Sequence, residues 1–243
     1  MLLLLLSGAL QAANPSTGVA VPLVKIDHST LIERYCDSAS AAKPDPAVSA
    51  ELDARLSEFQ AAWDKEGPQL LAEDVRLTGQ PFRFHETIAA LSACPDLPSM
   101  SLPLTINAVR FTRAYLSSAS APPQPVGLGR VGPPPGPRKV LPLSGFAAVL
   151  WHEVTHRFVH DIIFAKPGHT TPLLQKYKGE SQITRSHLHL FALNQLIWRK
   201  LGREREFDAQ EQSLRSRGIK AYVRALEIVR AEGAEKFVAE LAR

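Results

Sequence analysis

The sequence predicts the α+β class: a small mixed or antiparallel sheet in the N-terminal half, packed on a buried helix, then a helical C-terminal half. Three observations carry that expectation. Between residues 19 and 113, short β-branched and aromatic runs are separated by Gly and Pro punctuation, which is strand patterning. From residue 144 to about 165 an apolar stretch keeps its polar groups on one side of a helical winding. From residue 182 onward, apolar residues recur every three or four positions between charged ones.

The chain opens on Met1 and a run of leucines, followed by Ser7-Gly8-Ala9-Leu10-Gln11-Ala12-Ala13. That run is too short to span a bilayer, which takes about 20 apolar residues. It has the form of a secretory signal peptide over residues 1–13, cleaved near Ala12 or Ala13. An exported protein, periplasmic or secreted, is therefore expected, with residues 14–243 as a single domain. At 45% hydrophobic and 21% charged, the chain can bury a sizeable core. Its net charge of +4 is spread over interspersed acids and bases. A nucleic-acid surface would need clustered Lys and Arg, so that class is excluded. No later stretch is long and apolar enough to cross a membrane. Cys36 and Cys94 lack metal-site spacing, and in an exported chain a disulfide between them is favoured.

Residues 19–26 read as a first strand or ordered arm, and residues 38–48, rich in Ala, Pro and Ser, as a linker. Over residues 49–65, Leu52, Leu56, Phe59 and Trp63 mark an amphipathic helix that Gly67-Pro68 should stop. Residues 74–78, 82–92 and 102–113 read as strands. His85-Glu86 lies on the middle one and reads as structural or surface, because neighbouring strand residues face opposite ways. Residues 119–142 are crowded with Pro and Gly and form an extended loop. Since that loop leads straight into the apolar helix, it could border whatever cleft the helix faces.

The helix itself contains Trp151-His152-Glu153-Val154-Thr155-His156, a His-Glu-x-x-His pattern. Ser144 is a candidate N-cap, and Lys166-Pro167-Gly168 supplies the stop. Winding at 3.6 residues per turn puts Leu150, Trp151, Val154, Phe158 and Ile162 on one side. His152, Glu153, His156 and His160 gather on the other. Two histidines at i and i+4 sit one above the other, so both can reach one ion. Glu153 is then carried round beside the water that such an ion would hold. Chance placement of this chain's His and Glu gives only about 0.02 matches to the pattern.

The segment resembles the active-site helix of the zincin zinc metallopeptidases. It departs from the metzincin subgroup, with Val159 and Ile162 where that pattern continues through glycine to a third histidine. The resemblance implies Zn²⁺ as cofactor, His152 and His156 as ligands, and Glu153 as the catalytic base. A catalytic zinc takes three protein ligands and keeps a position open. The glutamate-ligand (gluzincin) type implies a carboxylate on the next long helix, for which Glu180 has the right separation, with His187 and then His189 as alternatives.

That next helix follows a short capped turn, His169-Thr170-Thr171-Pro172, and ends near Leu201-Gly202. Ile183, Leu190, Leu193, Ile197 and Leu201 form its apolar stripe, with Glu180, His187 and Asn194 along one border. Facing a metal site would explain that polar border. His160 is about 6 Å beyond His156 along the axis, a long reach, so it is expected to contact substrate or support a ligand. Tyr177, His187, His169 and His160 are candidate donors to a developing oxyanion. Residues 203–243 read as two or three charged amphipathic helices. The expectation is an exported zinc-dependent hydrolase acting on a peptide or protein. Its alternative is a zincin-like binding or structural protein without turnover.

Overall fold

The sheet is built in the N-terminal half, with three helices inserted between its first strand and the other three. The protein is described by a computed structural model that covers residues 18–39, 43–117, 139–165 and 168–242. The expected signal peptide and residues 119–138 of the Pro/Gly-rich loop lie outside the described residues. Strand β1 (Leu23–His28) is followed by helices α1 (Thr30–Ala39), α2 (Pro46–Ala54) and α3 (Leu56–Thr78). Then come β2 (Glu86–Ser92), β3 (Met100–Ser101) and β4 (Leu104–Asn107). The four strands form one mixed sheet in the order β1-β2-β4-β3. β1 and β4 both run parallel to β2, from Leu23 opposite Glu86 and Ala90 opposite Thr105, while β3 is antiparallel to β4. The mixed α+β architecture is as the patterning predicts.

One face of the sheet turns inward, with Val24, Ala89, Leu91, Leu104 and Ile106 buried. The outer edge of β1 is closed by a side chain instead of a strand. Gln60 on α3 accepts from the Ile26 amide at 2.9 Å and donates to the Val24 carbonyl at 3.1 Å. An edge whose backbone groups are spoken for in this way does not invite pairing with another chain.

Helix α3 corrects two expectations. Gly67-Pro68 does not stop it, and residues 74–78, read as a strand, are its last turns. A proline inside a helix loses one hydrogen bond and crowds the carbonyl four residues back. Here Phe59, Trp63, Leu70 and Leu71 are all buried along the same helix, and that burial outweighs the local penalty. The stop comes at Gly79, whose φ of 66° is the left-handed cap that glycine adopts freely. The expected strand over residues 102–113 is likewise shorter. It ends at Asn107 and passes into a 3₁₀ turn (Val109–Phe111) and the short helix α4 (Ala114–Ser117).

Helix α5 (Leu143–Ile163) carries the His-Glu-x-x-His segment and lies at the centre. Its N-cap is Pro142, not Ser144, and no side chain caps it. Phe146, Leu150, Trp151, Val154 and Phe158 are each at most 1% exposed. Phe146 packs on Phe59 of α3 at 4.8 Å between ring centroids, and Phe158 on Phe82 at 4.3 Å. Helix α6 (Pro172–Lys176) is capped by Thr171, whose hydroxyl accepts from the Leu174 amide. Helix α7 (Gln182–Lys200) then packs on the other side of α5, where Trp198 meets Trp151 at 5.3 Å. Ile183, assigned to its apolar stripe, is 47% exposed, and Thr184 beside it is the residue that the first turn buries. Helices α8 (Glu204–Ser216), α9 (Lys220–Glu232) and α10 (Ala234–Leu241) complete the C-terminal half. Cys36 of α1 and Cys94 after β2 are disulfide-bonded, the favoured pairing. Among the described residues, no helix is long and apolar enough to cross a membrane.

Candidate metal centre

The site is made where α5 faces the first half of α7. Burial of Trp151, Val154 and Phe158 fixes the rotation of α5, and the opposite face presents His152 and His156. Their rings stand 4.8 Å apart between centroids and nearly perpendicular, at 82°. The start of α7 is fixed by Ser181, whose hydroxyl accepts from the Thr184 amide at 3.1 Å. Thr184 in turn donates to the Ala221 carbonyl on α9, which fastens the first turn in place. His187 follows less than one turn later and comes to rest over the α5 pair. Its Nε2 is 3.0 Å from Nε2 of His156, and its ring centroid is 5.5 Å from that of His152. One ring nitrogen from each of the three lies within 4.8 Å of the other two.

Three imidazoles so placed suit a cation only if their lone pairs are free. His187 meets that condition by its hydrogen bonding. Its Nδ1 lies 2.7 Å from the Ile183 carbonyl, which can only accept, so Nδ1 carries the proton. Nε2 is left with its lone pair directed at His156. Burial keeps the other rings neutral too. The pKa of His152 falls well below the ordinary value through burial, with the neighbouring His156 and His187 adding to it. Burial takes His156 down to about 3, assisted by His187, and His187 down to about 4 against its bond to the Ile183 carbonyl. Neutral imidazole is the state a metal ligand needs. Donors bound at about 2.0–2.1 Å in a tetrahedral set stand roughly 3.3 Å apart. The 3.0 Å between His156 and His187 is close to that spacing. These residues fit a bound metal ion.

Glu153 is 9% exposed and forms no ion pair among the described residues. Burial alone pushes its carboxyl up to about 7. A carboxyl poised there can both take and give a proton near neutral pH. Tyr222 of α9 stacks on His187 with centroids 4.1 Å apart, and Phe191 closes the back at 5.2 Å from the same ring. The Tyr222 phenol is pushed up by burial and then by the charge of Glu153.

The sequence-expected residues divide cleanly. His152, Glu153, His156 and His187 come together. Glu180 does not: it precedes the Ser181 cap, outside α7, and its Oε1 accepts from Nε and Nη2 of Arg224 at 2.9 and 2.7 Å. Helical winding therefore never applied to it, and the alternative third donor, His187, stands in its place. His160 points outward beside Asp161, 3.7 Å away, and Phe164. Tyr177 donates to Glu232 at 2.7 Å, and His169 to the Ile163 carbonyl at 2.7 Å. His189 is buried against Glu240, at 2.8 Å. None of these four joins the triad.

Two residues escaped the sequence. Tyr222 is one aromatic in a charged amphipathic helix, and nothing in its spacing links it to His187. Asp74 was hidden in a segment read as a strand. It is fully buried on α3, and its Oδ2 accepts from Nε1 of Trp151 at 2.9 Å and from the Thr155 hydroxyl at 3.0 Å. The chain matches no known family, no curated protein and no solved structure.

Proposed function

We propose that the chain is a zinc-dependent hydrolase of zincin type, acting on peptide bonds in an exported compartment. What supports the reading is one arrangement: three neutral imidazoles converging from α5 and α7, with Glu153 adjacent in sequence to the first of them. An all-nitrogen set of three fits zinc with a position left open. It also replaces the glutamate-ligand expectation with His187. The Cys36–Cys94 disulfide suits an oxidising compartment.

His152, His156 and His187 would hold the ion. A zinc ion held there would supply a Lewis acid for the scissile carbonyl and for an attacking water. Glu153 takes the proton from the attacking water onto its carboxylate and passes it to the leaving amine. The Tyr222 phenol, whose ring stacks on His187, would serve as the donor to a developing oxyanion.

The test is Glu153→Gln, with metal content and peptide hydrolysis measured on the same preparation. The variant should keep one zinc per chain and lose about 10²–10⁴-fold in rate, the usual worth of a general base. Unchanged hydrolysis would remove Glu153 as base. A wild-type protein that binds zinc but cleaves no peptide or other amide would leave a binding protein built on the same helix.

A further inference from the structure

Of the six buried side-chain polar atoms without a hydrogen-bonding partner among the described residues, four belong to three side chains on three helices that pack on one another. They are Oδ1 of Asp74 on α3, Nδ1 of His152 on α5, and both amide atoms of Asn194 on α7. Asp74 is 0% exposed and Asn194 1%. An unpaired polar atom at that depth has given up its water and gained no partner, so four in one region call for a physical reason.

Their neighbours show that they share one place. The other oxygen of Asp74 takes the Trp151 indole and the Thr155 hydroxyl, so its carboxylate lies against the turn of α5 that contains His152. On α7, residues 191, 194 and 198 fall on one face at three- and four-residue spacing. Phe191 packs on the His152 ring at 6.0 Å, and Trp198 on the Trp151 ring at 5.3 Å. Asn194 lies between these two residues on that face of α7 and is buried.

The four atoms are also complementary. A carboxylate oxygen accepts, an amide NH₂ donates, an amide oxygen accepts, and an imidazole N–H donates. We propose that Asp74, Asn194 and His152 form a buried relay, in which Asn194 donates to Asp74 and accepts from Nδ1–H of His152, directly or through one buried water. Asp74 and Asn194 are then positioning residues. They hold the His152 proton on Nδ1, which leaves Nε2 with the lone pair that a metal ligand needs, as the Ile183 carbonyl does for His187. The inference rests on the metal-centre reading for its consequence, but the tautomer of His152 stands apart from it.

Two variants and two readouts separate these. Asp74→Asn keeps an acceptor for Trp151 and Thr155 but places an NH₂ where the free oxygen was. Asn194→Leu deletes the bridging amide at similar volume. The first readout is the ¹⁵N shift pattern of the His152 ring in the metal-free protein. Wild type should carry the proton on Nδ1, and both variants should lose that preference. A wild-type ring protonated on Nε2 would overturn the relay whether or not the variants fold. The second readout is zinc affinity by competition with a chromophoric chelator. It should weaken about 10–100-fold in both variants, while Asp74→Asn leaves thermal stability unchanged or higher, since a buried carboxylate is gone. A variant that binds zinc as wild type does would show Asp74 and Asn194 to be filler, and the relay fails. Wild type that binds no zinc sinks the metal centre instead, with the tautomer measurement still deciding the relay.

Discussion

His28 carries a proton on each ring nitrogen, because each faces a carboxylate: Nδ1 is 2.8 Å from Asp53 Oδ1 and Nε2 is 2.6 Å from Glu33 Oε1. Burial opposes that charge, but the bonds to Asp53 and Glu33 outweigh it, and the pKa is raised. A group raised in the fold stabilises it fully below the unfolded value, about 6.5, and the contribution is lost as pH rises through the folded value. Urea midpoints of wild type should therefore fall on going from pH 6 to pH 9, and those of His28→Phe should fall less. Parallel pH curves for the two proteins would remove His28 as the cause. Residues of this kind mark the limit of what letters disclose. His152, Glu153 and His156 were legible because a helix converts their spacing directly into geometry. His28 and Asp74 act through partners as far as 25 and 81 residues away, and no local pattern records those meetings. Glu180 misled for the opposite reason: its spacing fitted a helix that begins only after it.

Helix α3 shows how an element overrides its strongest local signals. Gly67-Pro68 reads as a terminator, yet the helix runs through it because the apolar residues on both sides bury against α5. The glycine itself has a packing reason. A Cβ added at Gly67 would overlap the Trp63 ring one turn earlier, and Trp63 is 2% exposed with no room to retreat. Propensity alone predicts that Gly67→Ala stabilises a helix by about 1 kcal/mol. Overpacking a filled interior costs about 1–3 kcal/mol. The variant should therefore be less stable than wild type by up to about 2 kcal/mol in chemical denaturation, the reverse of an exposed Gly→Ala change. A stabilised variant would mean that Trp63 swings aside. The same element accounts for the strand expected over residues 74–78: with a helix stop at Gly67-Pro68, Val75, Leu77 and Thr78 carry only β-branched and apolar character, which is strand patterning.

At the scale of the molecule, the triad sits on the seam between two bodies of helix packing. α3 and the sheet hold one side of α5, while α7 with α9 and α10 forms the other layer. Two donors belong to α5 and the third to α7, so a bound ion would cross-link the layers at the point where His156 and His187 already stand 3.0 Å apart. A ligand that binds only the folded state stabilises it by mass action, by about 2.7 kcal/mol at a hundredfold excess over Kd. For a chain of this size, each kcal/mol moves the midpoint by about 2–4 °C. Free zinc at that excess should raise the melting temperature of chelator-treated protein by about 5–10 °C. His187→Ala should lose most of the increment, because two donors from one helix neither complete the set nor join the layers. The comparison must be made on the zinc-induced shift and not on the melting temperature itself. The alanine variant also forfeits the stack with Tyr222 and Phe191 and will melt lower with or without metal. If it shows the same zinc shift as wild type, the ion binds elsewhere, and α7 has no part in holding it.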